Sequence, residues 1–334
     1  QKNVLIALAI VGTLTAGFFL FRNKPSQTVD VNPTALRDIY NQWKANYNIK
    51  VGASEDDYRF KVFASNYEAI NQHNSKESTY KLGLNQFTHQ TDEEFAAIYL
   101  NSDLPESASV NTTVFKVDKV SNLKTNVDWR AKMNPVKNQG KCGSCWAFSA
   151  VAGIEGAYSV LKGTKLDLAE QELVDCSGSY GNKGCNGGLK DNAFKYVVKV
   201  GGLASQKDYP YKAADGTCKT SGFTRYGKIS SYTTVNPWDP DSLKGALNKQ
   251  PVTVSVKADT WKAYTTGIIN DDSCGTATNH AVIAVGYNTE GNVPYYVIRN
   301  SWGPGWGEQG HVRVGIQGGI GICGVQKSPF FPNI

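Results

Sequence analysis

Residues in the first quarter of the chain recur at helical spacing. One face carries Leu36, Ile39, Tyr40, Trp43 and Tyr47, and a second recurring face carries Arg59, Phe63, Ile70 and Asn74. This pattern predicts two helices between residues 32 and 74, separated by a loop at Gly52. A third, short helix is predicted from Thr91, because Thr91 and Glu94 have the spacing of a capping box and apolar residues follow them.

A further helical pattern begins at Cys145 and ends at Gly163. Its apolar positions are Trp146, Phe148, Val151, Ile154, Tyr158 and Leu161. This spacing, with a glycine at its end, predicts a buried helix. Between residues 101 and 124, by contrast, periodicity fades and polar residues dominate, which indicates an extended or flexible connector.

From Gly227 onward the pattern changes to alternation with a period of two. The alternating positions are Val252, Val254 and Val256, then Val282, Ala284 and Gly286, then Val312 and Val314. Such alternation predicts β-strands on a half-buried surface. Residues 125–334 are therefore predicted to hold a helical unit beside a β-rich unit, and a cleft is expected between the two.

Composition and charge limit the classes of function. With 334 residues, of which 40% are hydrophobic, the chain is long enough for two or three structural units. Residues 1–123 carry 12 basic and 13 acidic side chains, whereas residues 124–334 carry 23 and 16. No long basic run and no aromatic-basic interleaving is present, so nucleic acid is not expected as a partner. The basic excess indicates a solvated surface.

All the cysteines follow residue 140. They are Cys142, Cys145, Cys176, Cys185, Cys218, Cys274 and Cys323. An odd number suggests disulfide pairs with one thiol left free, and the density favours an oxidising compartment. Zinc binding is the competing use. However, no second C-x-x-C follows the first and no histidine pair has ligand spacing, so no metal is expected.

The N-terminal residues indicate export. An uncharged, mostly apolar run of 18 residues covers positions 4–21 and is flanked by basic residues. It predicts a signal peptide or a signal anchor over residues 1–24, and a buried helix is the alternative. An exported chain would be glycosylated at Asn111, which begins an N-x-[S/T] sequon.

Three side chains stand out as carriers of chemistry. Cys145 lies at the predicted start of a helix, whose positive N-terminus favours a thiolate that is easily formed. His280 opens an apolar strand and can act as the base that a sulfur nucleophile needs. Asn300 follows a second apolar strand and can accept a hydrogen bond from an imidazole, while Trp302 keeps water away from it. A lone histidine is more often structural, so these neighbours are what favour a catalytic one.

The motifs at 139–146, 279–281 and 300–303 resemble, in order and spacing, those of a papain-like cysteine protease precursor of the cathepsin L subfamily. The resemblance covers the chain from about residue 32 to its end. It implies an α+β fold of two domains, a helical left domain and a β-barrel-like right domain with a cleft between them, preceded by a helical inhibitory propeptide. The expected domains are a signal segment at 1–24, a propeptide at 25–123 and a mature peptidase at 124–334, divided into 124–226, mainly helical, and 227–334, mainly β.

The resemblance also implies roles for individual residues. Cys145 would attack the scissile peptide carbonyl, and His280 would protonate the leaving amine while Asn300 orients it. Gln139 and the Cys145 backbone N–H would stabilise the oxyanion that forms on the carbonyl. Trp302 would cover the hydrogen bond between His280 and Asn300. No cofactor is expected.

Substrate contacts and disulfides follow from the same resemblance. The substrate backbone would approach Gly187 and Gly188, and the pocket for the second residue upstream of the cut would consist of Leu189, Lys190, Ser255, Thr278 and Ser328. Because the base of this pocket has no acidic residue, we expect an apolar or aromatic occupant. Lys190 would fold its apolar stem over the pocket or point to water. The implied disulfides are Cys142–Cys185, Cys176–Cys218 and Cys274–Cys323, which leave Cys145 free.

The N-terminal third resembles the propeptide of the same subfamily. The first matching motif consists of Glu55, Arg59, Val62, Phe63, Asn66, Ile70 and Asn74, and the second of Gly83, Asn85 and Phe87. Where the second motif has an acidic residue, this chain has His89. The resemblance implies that the propeptide lies backwards along the cleft until acid loosens it. We hypothesise that His89 shifts the pH of activation, and the alternative is a solvated loop histidine.

Other functions fit the sequence less well. A redox C-x-x-C at Cys142 and Cys145 would leave Gln139 and His280 unexplained, and an inactive, protease-like binding protein would lack a catalytic residue, whereas none is missing. The expected partners are protein and peptide substrates, the chain's own propeptide and cystatin-type inhibitors. The mature enzyme is expected to be a monomer, lysosomal, vacuolar or secreted, and a membrane-anchored precursor is an alternative.

Overall fold

The computed structural model describes residues 33–101 and 113–334. The predicted signal segment at 1–24 and the sequon at Asn111 lie outside these residues. No helix within the described ranges is long and apolar enough to cross a membrane.

The described residues form an α+β fold, as predicted. Its helices are α1 (Pro33–Asn46), α2 (Asp56–Asn74), α3 (Asp92–Tyr99), α4 (Cys145–Lys162), α5 (Glu170–Cys176), α6 (Lys190–Val200) and α7 (Pro240–Leu247). Its strands are β1 (Tyr80–Leu82), β2 (Val114–Phe115), β3 (Asn126–Asp128), β4 (Ser231–Val235), β5 (Val252–Val256), β6 (Tyr264–Ile269), β7 (His280–Asn288), β8 (Tyr295–Arg299), β9 (His311–Gly315) and β10 (Phe330–Asn333).

An aromatic cluster joins α1 to α2 and confirms the two helices predicted between residues 32 and 74. Tyr40, Trp43 and Phe63 are buried, and the ring centroids of Trp43 and Phe63 lie 5.1 Å apart. At the edge of the cluster, Lys44 donates to the Asp56 carboxylate over 2.6 Å. This hydrogen bond lowers the pKa of Asp56. Residues 33–74 therefore have a core of their own.

The predicted capping box starts α3. The Thr91 hydroxyl accepts from the Glu94 backbone N–H over 3.2 Å, and the Glu94 carboxylate accepts from the Thr91 N–H over 2.9 Å. The same carboxylate pairs with Arg59 on α2 at 2.7 Å. Glu94 thus fixes both the start of α3 and its position against α2.

Helix α4 forms the centre of the helical unit. It ends before Gly163, whose φ of +66° is the left-handed conformation that a C-terminal glycine adopts readily, as predicted. Gly156 lets α4 approach Pro251, since a Cβ at position 156 would lie only 3.0 Å from the proline ring. Helices α5 and α6 pack on α4 around the buried side chains of Leu173 and Phe194.

The strands form one sheet in the order β1-β6-β9-β8-β7-β5-β10-β4-β2, with β3 paired to β7. Pairing of β7 with β8 and of β8 with β9 is antiparallel, whereas β6 pairs with β9 in parallel. Strand β1, from the N-terminal third, pairs antiparallel with β6 and places Tyr80 opposite Gly267. The N-terminal third therefore extends the sheet of the C-terminal unit.

The half-buried surface predicted for the alternating strands is wrong for β7. Its residues from His280 to Tyr287 are all buried, because α4 packs on one face while the β-unit core covers the other. In the predicted connector, Val114 and Phe115 are extended and pair with β4 in parallel, which agrees with the extended alternative. Alternation of apolar residues along a strand predicts one buried face, but it does not indicate whether a helix packs on the opposite face.

The N-terminal core can be tested by substitution at Phe63. We expect Phe63→Ala to lower the free energy of unfolding of the N-terminal unit by about 3–5 kcal/mol, because it leaves a cavity between α1 and α2. Trp43 touches this ring, so its fluorescence during urea unfolding of the full chain reports the loss. Tyr58→Ala is the control, since Tyr58 is exposed on the same helix. Equal midpoints for the two variants would contradict the assignment of this core.

Candidate active site

The thiol of Cys145 is fully buried at the first residue of α4. Its sulfur accepts a hydrogen bond from the backbone N–H of Ala281 on β7, with the two atoms 3.5 Å apart. It is the one free cysteine among the described residues. The other six form the pairs Cys142–Cys185, Cys176–Cys218 and Cys274–Cys323, which are the pairs that the resemblance implies.

His280 is the first residue of β7 and lies beside Asn300, which follows β8. His280 Nε2 and Asn300 Oδ1 are 2.8 Å apart, and the same oxygen accepts from the Ser301 backbone N–H over 2.8 Å. Because an amide oxygen only accepts hydrogen bonds, Nε2 must carry a hydrogen. In the neutral ring, the lone pair of His280 is therefore on Nδ1. That nitrogen is buried without a hydrogen-bond partner among the described residues.

Trp302 covers the hydrogen bond between His280 and Asn300. Its indole stacks on the His280 ring, with centroids 4.8 Å apart and planes inclined by 29°. Both side chains are almost fully buried. Excluding water in this way keeps the histidine–asparagine hydrogen bond in a low-dielectric surrounding, where it is strong.

Burial determines the protonation of both candidate catalytic groups in this form of the chain. It raises the pKa of Cys145 to about 11, although backbone N–H groups oppose the rise. It lowers the pKa of His280 to about 4, against the opposing effect of Asn300. The prediction of an easily ionised thiol is therefore wrong for this closed form. Removal from water outweighs the effect of the helix N-terminus.

Gln139 is fully buried, and its side-chain amide is held by Ser301. Its Oε1 accepts from the Ser301 hydroxyl over 2.7 Å, which orients the amide so that Nε2 is the donor. Nε2 donates to the carbonyl oxygens of Cys142, at 3.0 Å, and Tyr99, at 3.2 Å. Tyr99 ends α3, so a carbonyl of the N-terminal third already occupies this donor.

Side chains of the N-terminal third also cover Trp302 from outside. The rings of Phe87, Phe95 and Tyr99 meet the indole edge-on at centroid distances of 5.7, 5.1 and 6.5 Å. Gln86 Nε2 donates to the Trp302 carbonyl over 3.0 Å. Together these contacts close the site to solvent.

After Tyr99 the chain continues along the cleft between the two units. The Asn101 backbone N–H donates to the Asn279 carbonyl over 2.6 Å, and its side-chain amide donates to the Gly188 carbonyl over 3.1 Å. Gly188 has to be a glycine here, because a Cβ would lie 2.6 Å from the Trp146 ring. Asn101 thus bridges the helical unit to the β unit.

A cavity of about 610 Å³ lies next to Asn101. Its lining includes Gly188 and all five residues expected in the substrate pocket, namely Leu189, Lys190, Ser255, Thr278 and Ser328. Lys190 does not point to water: its side chain is buried, and Nζ donates to the Ser255 hydroxyl over 2.6 Å. Gly187 precedes this lining and has a φ of +107°.

Sequence reasoning did not find three residues that hold the site together. Ser301 fixes the Gln139 amide, Tyr211 donates to the Gln139 carbonyl over 2.7 Å, and Asn101 bridges the cleft. The position of Ser301 directly after Asn300 was the available signal. Tyr211 and Asn101 lie far from Gln139 in sequence, and no local pattern connects them to it.

The N-terminal third is also attached by a lysine of the β unit. Lys262, which is buried, pairs with the Asp92 carboxylate at the start of α3. It also donates to Asn66 Oδ1 and to the Gln90 carbonyl, each over 3.1 Å. Among the described residues, no cluster of histidine, cysteine, aspartate and glutamate has the geometry to hold a metal ion.

Two families match this chain. Residues 123–333 match the papain family of cysteine proteases, and residues 40–95 match the cathepsin propeptide inhibitor domain. The two matches are separated by the end of α3 and the connector that follows it.

Named relatives match over most of their length. Germination-specific cysteine protease 1 of Arabidopsis thaliana is 41% identical over 318 residues, covering 89% of this chain and 84% of the relative. Cathepsin L 2 of Paramecium tetraurelia is 41% identical over 323 residues, covering 95% and 98%.

Solved precursor structures have the same fold. A recombinant stem bromelain precursor superposes with a TM-score of 0.83 at 36% identity, covering 90% of this chain and 99% of that structure. Digestive procathepsin L 3 of Tenebrio molitor larval midgut gives 0.81 at 33% identity, with the same coverage.

The protonation state of the closed site can be tested by thiol labelling. With a pKa of about 11, roughly one Cys145 thiol in a thousand is ionised at pH 8. We therefore expect iodoacetamide to label Cys145 of the intact chain at least about 100-fold more slowly than in urea-unfolded chain, measured by mass spectrometry. Equal rates in the folded and unfolded chain would contradict the burial of the thiol.

Proposed function

The chain belongs to the papain family of cysteine proteases and carries a cathepsin-type propeptide inhibitor domain, and on this basis we propose that it is an endopeptidase zymogen. Cys145, His280 and Asn300 would form its catalytic site. Residues 25–123 would act as an intramolecular inhibitor, and residues 124–334 would form the mature peptidase. The observation that carries this proposal is the hydrogen bond between His280 and Asn300 beneath Trp302, adjacent to a free thiol.

The tautomer of His280 determines the route of the proton. Nε2 is committed to Asn300, so Nδ1 takes the proton from the Cys145 thiol once the cleft opens. The thiolate then attacks the peptide carbonyl carbon. The imidazolium returns the proton to the leaving nitrogen as the C–N bond breaks, which leaves a thioester. Water, deprotonated by His280, hydrolyses the thioester and regenerates the thiol.

Gln139 would stabilise the oxyanion formed in each step. Its Nε2 donates to the Tyr99 carbonyl in the closed form, and removal of Tyr99 would free it for the substrate carbonyl. The Cys145 backbone N–H is the second proposed donor. A donor of this kind typically lowers the barrier by about 3–4 kcal/mol.

The propeptide would inhibit in two ways: it occupies the cleft, and its chain runs through the cleft in the direction opposite to a substrate. Tyr99 lies at Gln139 and Asn101 at Gly188, so the chain runs from the leaving-group side of the cleft toward the pocket. A substrate would run from the pocket to the leaving-group side. The propeptide therefore fills the cleft without presenting a peptide bond in the attacking geometry.

Acid activation would begin with His89. Burial, together with the nearby Arg59 and Lys141, lowers the pKa of His89 to about 4, and its ring lies 5.3 Å from the Trp43 ring. A free histidine protonates near pH 6.5. A propeptide that exposes His89 when it leaves the cleft would bind a proton that the docked one does not, so docking would weaken as pH falls from 6.5 toward 4. This packing argues against the alternative of a solvated loop histidine.

Carboxylates would act at lower pH. The Arg59 hydrogen bond lowers the pKa of Glu94, so its contribution to the stability of the folded propeptide is present above the usual carboxyl pKa and is lost as pH falls through the lowered one. The pH at which Glu94 begins to protonate is thus lower than the pH at which His89 begins to protonate. The activation that begins in mild acid, below about pH 6.5, is therefore assigned to His89.

The proposed compartment is the secretory pathway, leading to a lysosome, a vacuole or the cell exterior. Three disulfides support it, because such bonds persist in oxidising surroundings. Each would stabilise the mature enzyme by roughly 2–4 kcal/mol.

Processing and catalysis can be tested together. We expect the acidified precursor to be cut between residues 123 and 126, as read by N-terminal sequencing, and the product to cleave peptides. Cys145→Ala should abolish cleavage, and Gln139→Ala should lower kcat by about 100-fold with a smaller change in KM. A processed form that cleaves no member of a peptide library would overturn the proposed function.

The role of His89 predicts a shift in the activation profile. His89→Gln removes the titrating ring, so we expect the pH at half-maximal autoprocessing to fall, by about half a unit or more. His73→Gln is the control, because it removes the imidazole from α2 without touching Trp43. An unchanged profile for His89→Gln, with normal thermal stability at pH 7, would remove His89 from the mechanism.

A further inference from the structure

The cavity beside Asn101 contains the ammonium group of a buried lysine. Lys190 is 4% exposed, and its Nζ lies 2.6 Å from the Ser255 hydroxyl oxygen and 4.9 Å from the centre of the Phe330 ring. Leu189, Ala281 and Phe330 supply apolar surface to the same cavity. The cavity therefore combines apolar walls with a positive charge.

Folding alone does not account for a cation at this position. Lys190 is the first residue of α6, where the helix N-terminus repels positive charge. Burying an ammonium group beside a neutral hydroxyl and a ring also costs free energy. A charge kept at such a cost in a binding cleft points to a ligand group that pairs with it.

The charges around Lys190 leave it available to such a group. Within the described residues, Lys190 forms no salt bridge. The neighbouring Asp191 favours its charged form but pairs with Lys195 at 3.2 Å, and Asp259 pairs with Lys257 at 2.8 Å. Lys257 and Asp259, which pair with each other, also line the cavity, so Lys190 Nζ is the charged group next to its apolar walls. The cavity is thus suited to an anionic side chain.

We propose that Lys190 makes this enzyme prefer glutamate as the second residue upstream of the scissile bond. The proposal rests on the proposed function, which assigns this cavity to that residue. The glutamate methylenes would contact Leu189 and Phe330, and its carboxylate would pair with the ammonium group. The expectation of an apolar or aromatic occupant considered only the stem of Lys190, whereas its charged end lies inside the cavity.

Both partners would be charged at the pH at which such an enzyme works. Burial lowers the pKa of Lys190 to about 8, which still leaves the amine protonated in mild acid. A peptide glutamate ionises near pH 4.3. Glutamine has the same shape without the charge, so a comparison of the two side chains isolates the electrostatic contribution.

The test uses the acid-processed full chain and three peptides that differ only in the second residue upstream of the cut. These residues are glutamate, glutamine and leucine. At about pH 6, we expect kcat/KM for glutamate to exceed that for glutamine by about tenfold or more, the ratio that one buried charge pair typically gives. In Lys190→Met the ratio should fall to about one or below, with leucine becoming the preferred residue.

Lys199→Met is the matched control, because it removes the same charge from an exposed position in the last turn of α6. It should keep the ratio of the parent enzyme. A parent enzyme that cleaves the leucine peptide but shows no preference for glutamate over glutamine would overturn this proposal alone. Cleavage of none of the peptides would instead overturn the proposed function. The parent comparison decides the question even if Lys190→Met does not fold.

Discussion

The whole site depends on the hydrogen bond between His280 and Asn300, stacked beneath Trp302. It joins the start of β7 to the residue that follows β8. It also fixes the tautomer of the imidazole, so that the nitrogen without a hydrogen is the one directed away from Asn300. The β unit provides this bond, whereas α4 of the helical unit provides the thiol. In the proposed mechanism, catalysis therefore requires the two units to be packed together, and the contact of α4 with β7 maintains that packing.

The N-terminal third packs on Trp302, the same indole that covers His280. Phe87, Phe95 and Tyr99 pack on Trp302, and the Tyr99 carbonyl accepts a hydrogen bond from Gln139 Nε2. The same burial leaves the thiol and the imidazole neutral. In the proposed zymogen, inhibition would therefore be both steric and electrostatic, because the cleft is filled and burial favours the uncharged forms of both groups.

Local chemistry made parts of this structure predictable. The capping box of α3 and the glycine at the end of α4 depend on neighbouring residues, and the sequence spacing identified both. The raised pKa of Cys145 in the closed form was not predicted, because the helix N-terminus is visible in the sequence while the covering chain is not. The burial of Lys190, the support of Gln139 by Ser301 and the two-sided burial of β7 all depend on residues distant in sequence, so no periodicity could reveal them.

Strand β1 has a consequence for the timing of activation. Its pairing with β6 makes the inhibitor an edge strand of the sheet that it regulates, and this pairing is not covalent. Cutting the connector therefore breaks one peptide bond but leaves the inhibitor bound as a separate chain. Proteolysis makes release irreversible, whereas dissociation of the strand and of the aromatic contacts creates the open enzyme. In the proposed activation the two events are separate, so a chain that has already been cut would stay inactive until the inhibitor dissociates.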